Sequence, residues 1–117
     1  MVHFNPRLRV LFYRSSAGRE PVRDWLRDLD PESRTIIGTD LRTVQYGWPI
    51  RMPLVRSLGD GLWEMRSSLR TGIARVIFLV GDDTLVPLHG IIKKSRKIPK
   101  KDLDLARRRA ANLRGQA

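Results

Sequence analysis

The stretch Leu54–Lys94, LVRSLGDGLWEMRSSLRTGIARVIFLVGDDTLVPLHGIIKK, decides the fold. Its apolar blocks are short, and turn residues close them: Gly59-Asp60-Gly61, then Arg70-Thr71 with Gly72, then Gly81-Asp82-Asp83. That punctuation predicts three or four strands in a row. Strand side chains alternate between two faces. Leu62–Leu69 therefore sends Leu62, Glu64, Arg66 and Ser68 to one side and Trp63, Met65, Ser67 and Leu69 to the other. Ile73–Val80 separates Ile73, Arg75, Ile77 and Leu79 from Ala74, Val76, Phe78 and Val80. A two-residue loop at Arg70-Thr71 sets Arg66 opposite Arg75, with Glu64 diagonal to Arg75. Like charges directly opposed on a sheet are destabilising, so the pair reads as a place to hold an anion. A slip of one residue would undo the pairing.

Before this stretch, Arg9–Tyr13 (RVLFY) reads as a short buried strand. Pro21 suits the first position of a helix, and Val22, Trp25, Leu26 and Leu29 form its apolar stripe. Asp30-Pro31-Glu32 supplies an N-cap, a first-turn proline and a dipole-compatible acid for a second helix. Ile37, Leu41 and Val44 are its buried face, Gly47 closes it, and Trp48-Pro49 blocks continuation. Pro87 removes a ladder donor from the last strand, which places an edge or a bulge there. After Lys94, Ile98-Pro99 opens a final helix with Leu103, Ala106, Ala110 and Leu113 as its stripe. The expected class is α+β: a small twisted, mostly antiparallel sheet, an N-terminal helical hairpin and a C-terminal basic helix, with the helices packed on one face.

At 117 residues the chain, 1–117, is expected to be a single domain with one core, and 41% apolar content excludes disorder. Cysteine is absent, and His3 and His89 are the only imidazoles, so no metal and no cofactor is expected. No apolar run is long enough to span a membrane and no signal peptide is visible, which points to a soluble cytoplasmic protein with no membrane partner. Net charge is +11. Lys93–Ala117 holds ten cations against two acids, +8 of that total. Such a field attracts polyanions by counterion release, with nucleic acid the default; a solubilising tail or an acidic protein partner is the bland alternative.

Arg75 interrupts an apolar strand and needs a partner: Glu64 or Asp60 in a salt bridge, or a phosphate gripped by its planar fork, and the two are compatible, since an arginine can rest on Glu64 and still face substrate. Arg66, Lys93 and Lys94 complete a candidate cationic cup, with only one of the two lysines expected to reach it. Glu64 is the acid within the strands: an ion-pair partner or a general base. Arg96, Lys97, Lys100, Lys101 and Arg108 are candidate RNA contacts, His89 a candidate proton shuttle, and Trp48, Tyr46 and Tyr13 candidate stacking surfaces. No Gly-rich phosphate loop, Ser-His-Asp set or carboxylate cluster is present. A nuclease built this way would act on RNA, whose 2′-hydroxyl can attack the adjacent phosphate.

LVRSLGDGLWEMR, GIARVIFLV and LHGIIKKSRKIPKKDLDLARRR together resemble the HigB-like, phage-derived branch of the RelE toxin superfamily, over about Val10 to Arg114. The resemblance implies a type II toxin–antitoxin toxin: a metal-independent mRNA endoribonuclease, often ribosome-dependent, that inhibits translation. Its partners would be mRNA, the ribosome and a cognate antitoxin, commonly a helix-turn-helix protein. By position, Arg75 matches the family's phosphate-contacting strand arginine, Arg66 its basic strand residue, and Lys93 or Lys94 the next catalytic cation. Glu64 falls where RelE itself has lysine, and no tyrosine or histidine follows His89 to supply the family's C-terminal catalytic group. Two other readings remain: a non-catalytic basic binding module descended from such a toxin, and a phage-assembly protein.

Overall fold

The computed structural model describes residues 6–115, so His3 lies outside the described residues. The elements run β1 (Arg9–Val10), α1 (Pro21–Asp28), α2 (Pro31–Gly47), β2 (Val55–Gly59), β3 (Leu62–Leu69), β4 (Gly72–Val80), β5 (Thr84–Lys93) and α3 (Lys100–Gly115). The strands form one sheet in the order β1-β5-β4-β3-β2. β2 to β5 is an antiparallel meander, and β1 lies parallel beside β5. The fold is α+β, as the sequence implies, and consistent with a RelE-like architecture.

Local chemistry accounts for the elements. Asp60 and Gly61, both with positive φ (56° and 79°), make the two-residue turn between β2 and β3 whose twist suits a hairpin. Asp30 caps α2 by accepting a hydrogen bond from the Ser33 amide at 3.0 Å, and Pro31 starts the helix. Arg34 then reaches back to the carbonyls of Leu26, Arg27 and Leu29, satisfying the last turn of α1 and locking the helical hairpin. Pro87 sits at a bulge: Phe78 pairs with Pro87 and Ile77 with His89, leaving Leu88 as the extra residue.

The helices do not share one face of the sheet. α1 and α2 cover the side that carries Met65, Ala74, Val76 and Phe78, closing a core with Ile37, Leu41 and Val44. α3 packs on the opposite side, where Ala106 and Ala110 meet Leu62, Ile77, Leu88 and Tyr13. The expectation of a one-sided sheet is corrected by the strand pattern itself. Ile77, Leu79 and Leu62 are apolar on the side that also carries Arg66 and Arg75, and that apolar half needs a cover. α3 supplies it, leaning mainly on β5 and β4.

Candidate functional site

The register sets Arg66 opposite Arg75, with Glu64 opposite Ile77 and thus diagonal to Arg75. Lys93 pairs with Ile73, which puts it on the same face as the two arginines; Lys94 follows the strand and is exposed. Arg56, opposite Glu64, joins them from β2. One side of the sheet therefore carries Arg56, Arg66, Arg75 and Lys93 around a single carboxylate.

Burial divides this group. Arg75 and Glu64 are both 0% exposed. Arg56 Nε donates to Glu64 Oε1 at 2.8 Å, while Arg75 Nε lies 3.0 Å from Oε2. That second contact is an ion pair without hydrogen-bond alignment, since neither atom has a hydrogen-bond partner. The rest of the Arg75 fork turns to the chain beyond β5, donating to the carbonyls of Lys93, at 3.5 Å, and Ser95. Arg75 thus clasps the start of the basic segment to the sheet. The salt bridge to Glu64 that the sequence offers for Arg75 is present, and every contact of the guanidinium is internal, with no exposed part of its fork. Glu64 as a general base meets an objection: both oxygens are held by arginines and shut off from solvent.

Arg66 and Lys93 are partly exposed and, among the described residues, their side chains have no ion-pair partner. Arg66 opens onto a cleft of about 510 Å³ lined also by Ser68, Ile73, Pro53, Leu54, Ile36 and Asp40. The cleft sits where β3 outruns β2, whose first residue Val55 pairs with Met65. Asp40 is the one carboxylate in its lining. Arg96, Lys97, Lys100 and Lys101 are exposed on the segment that Arg75 anchors and on the first turn of α3. Arg108 is exposed too, about 12 Å further along the helix axis.

The aromatic candidates separate in the same way. Trp48 packs edge-on against Trp63, at 4.9 Å between centroids, and against Phe78, and Tyr13 is buried under α3. Tyr46 alone of the three is exposed. His89 is held by Asp102, Nε2 to Oδ1 at 2.7 Å, in the contact between β5 and α3. Among the described residues no group of three or more His, Cys, Asp or Glu side chains is placed to hold a metal ion. No helix among them is long and apolar enough to cross a membrane.

Sequence reasoning missed Arg56, Asp40 and the His89–Asp102 pair. The turn alone, pairing Gly59 with Leu62, would set Ser57 opposite Glu64; a register shift between Ser57 and Gly59 brings Arg56 there instead. Asp40 is an ordinary polar-face residue of an amphipathic helix, and nothing local marks it.

The profile of the family described as "Phage derived protein Gp49-like (DUF891)" matches residues 24–111, about three quarters of the chain. The chain belongs to this family. The Gp49-like family is related to the RelE toxins, so the match and the fold agree with the resemblance seen in the sequence at that level. The matched segment contains α2, all of β2–β5 and most of α3, hence the cleft and the buried arginine–glutamate cluster. No curated protein matches the chain significantly.

Proposed function

We propose that this Gp49-like chain is the toxin of a type II toxin–antitoxin pair and acts in the cytoplasm as an mRNA endoribonuclease of the HigB kind on translating ribosomes. The observation that carries the reading is the pair of free cations, Arg66 and Lys93, on one sheet face beside a basic segment anchored by Arg75. Family membership supports it.

In the reaction the 2′-hydroxyl attacks the adjacent phosphorus, its proton leaves to a base, the bond to the 5′-oxygen breaks, and that oxygen takes a proton. The products end in a 2′,3′-cyclic phosphate and a 5′-hydroxyl. Arg66 and Lys93 stabilise charge developing on the phosphoryl oxygens. Asp40, across the cleft from Arg66, takes the 2′-hydroxyl proton in place of the inaccessible Glu64. Arg75 and Glu64 are positioning residues: they hold the Lys93–Ser95 backbone, and with it Lys93. Lys94, Arg96, Lys97, Lys100, Lys101 and Arg108 grip the RNA backbone. The antitoxin, a helix-turn-helix protein, presents acidic groups to this face, so the complex weakens between 0.1 and 1 M salt as the Debye length falls from about 10 to 3 Å.

The test is purified chain with mRNA, with and without translating ribosomes, in a magnesium buffer that keeps the ribosomes assembled. The reading expects new ends that carry a 2′,3′-cyclic phosphate and a 5′-hydroxyl. Ends that carry a 3′-hydroxyl and a 5′-phosphate, the products of attack by metal-activated water, would overturn the mechanism. One observation favours a second reading, a binding module without chemistry: the two strand residues best suited to catalysis, Arg75 and Glu64, neutralise each other inside the protein. Tight RNA binding with no new ends would select it.

A further inference from the structure

A smaller cavity, which shares no lining residue with the Arg66 cleft, lies where α1, β5 and α3 converge. It measures about 150 Å³ and is lined by Pro21, Val22, Trp25, His89, Gly90 and Arg109. Pockets for drug-sized ligands run to about 300–1,000 Å³, so this one admits only something much smaller. Its chemistry is one-sided, with a guanidinium, an imidazole and no carboxylate in the lining.

Arg109 is the unusual member. Its Nη1 donates to the Leu88 carbonyl at 2.6 Å, and the guanidinium lies 5.6 Å from the centre of the Tyr13 ring. Among the described residues it has no acidic partner, although a guanidinium carries five donor hydrogens. Burial lowers its pKa from the ordinary value, with the Arg108 charge adding to the effect and Tyr13 opposing it. A half-buried cation without a counter-charge gains from any anion that reaches it. His89 stands beside it with one ring nitrogen fixed by Asp102, whose other oxygen is buried without a partner. That contact leaves the second ring nitrogen, Nδ1, for another partner. The first turn of α1 forms the third wall, and no side chain caps its amides.

We propose that this cavity binds a small oxyanion of phosphate size through Arg109 and His89. It is a different site from the Arg66 cleft, and the proposal does not depend on the ribonuclease reading.

Trp25 lines the cavity, while Trp48 and Trp63 pack against each other elsewhere, so tryptophan fluorescence reports on the site. The experiment titrates the full chain with inorganic phosphate at constant ionic strength, balanced with potassium chloride so that general attraction to a +11 protein is held fixed. The expected result is a saturable signal that disappears in Trp25→Phe and persists in Arg107→Gln, an exposed neighbour on α3. Affinity should fall roughly tenfold or more in Arg109→Gln and in His89→Gln, with Arg109→Lys between them and the native chain. A 5′-phosphorylated dinucleotide competing where its 5′-hydroxyl form does not would make the oxyanion a chain terminus, and competition by neither would make it free phosphate; both keep the site. A non-saturating signal from the native chain would overturn the proposal, as would equal affinity in the Arg109 and His89 variants or a signal that survives Trp25→Phe.

Discussion

The same strands build both faces of the sheet, yet the faces treat charge in opposite ways. Beneath α1 and α2 the buried side chains are uncharged: Phe78, Met65, Ala74 and Val76 meet Ile37 and Val44, with the serines Ser33 and Ser67 the buried polar residues. On the other side α3 covers an apolar half, and next to it a guanidinium and a carboxylate are sealed at 0% exposure while two further cations stay open. The first face makes the protein stable. The second uses part of its interior to hold a charged surface in place, and the buried pair adds little net stability, because desolvating both ions offsets most of their attraction.

The largest expected effects follow from breaking each face in turn. Glu64→Ala leaves Arg75 buried without its carboxylate and should cost about 3–5 kcal/mol, read from denaturant unfolding. Phe78→Ala opens a cavity in the apolar core and should cost a similar amount, about 3–5 kcal/mol. The two differ in kind: replacing Glu64 and Arg75 together by apolar residues of similar volume should recover most of the Glu64→Ala loss, whereas no second change on the charged face should rescue Phe78→Ala. If Glu64→Ala costs under about 1 kcal/mol, solvent reaches the cluster and the division into two faces fails.

A smaller effect is expected where α1 meets β5. A Cβ at Gly90 would lie 2.4 Å from the Trp25 ring, so Gly90→Ala should cost about 1–3 kcal/mol by overpacking. It should also disturb Trp25 fluorescence, and an unchanged spectrum would contradict the close approach.

The smallest effect belongs to the Asp30 cap. Hydrogen bonds from the Ser33 side chain and amide hold the Asp30 carboxyl below its ordinary pKa. Because the folded value is the lower one, the cap's contribution is present above the unfolded pKa and is lost as pH falls through the folded one. Asp30→Ala should therefore destabilise slightly at neutral pH and no longer do so in strong acid, and Asp30→Asn should flatten the same acid limb while keeping most of the cap. Stability curves against pH for the three chains give the answer.

Much of this was legible in the residues themselves. Turn spacing gave the strand register, so the Arg66–Arg75 apposition followed from a two-residue loop. Asp30-Pro31 marked the start of α2, and Pro87 marked the bulge in β5. The side of the sheet that α3 takes was not legible, because an apolar stripe such as Leu103, Ala106 and Ala110 names a buried face without naming what buries it. Nor was the fate of Arg75. A cation in an apolar strand signals a partner, and only the packing shows that the partner is Glu64 together with two backbone carbonyls. The His89–Asp102 contact joins residues 13 apart through tertiary packing, and neither residue announces it locally.

The account rests on the open cations of the charged face being the ones that act on RNA. The most direct measurement maps new mRNA 5′ ends after brief induction of the native chain, beside Arg66→Ala and beside Arg42→Ala as an exposed control on α2. The account predicts in-frame cuts within translated regions for the native chain and the control, and none for Arg66→Ala at equal soluble protein. Cuts that persist undiminished in folded Arg66→Ala would contradict it.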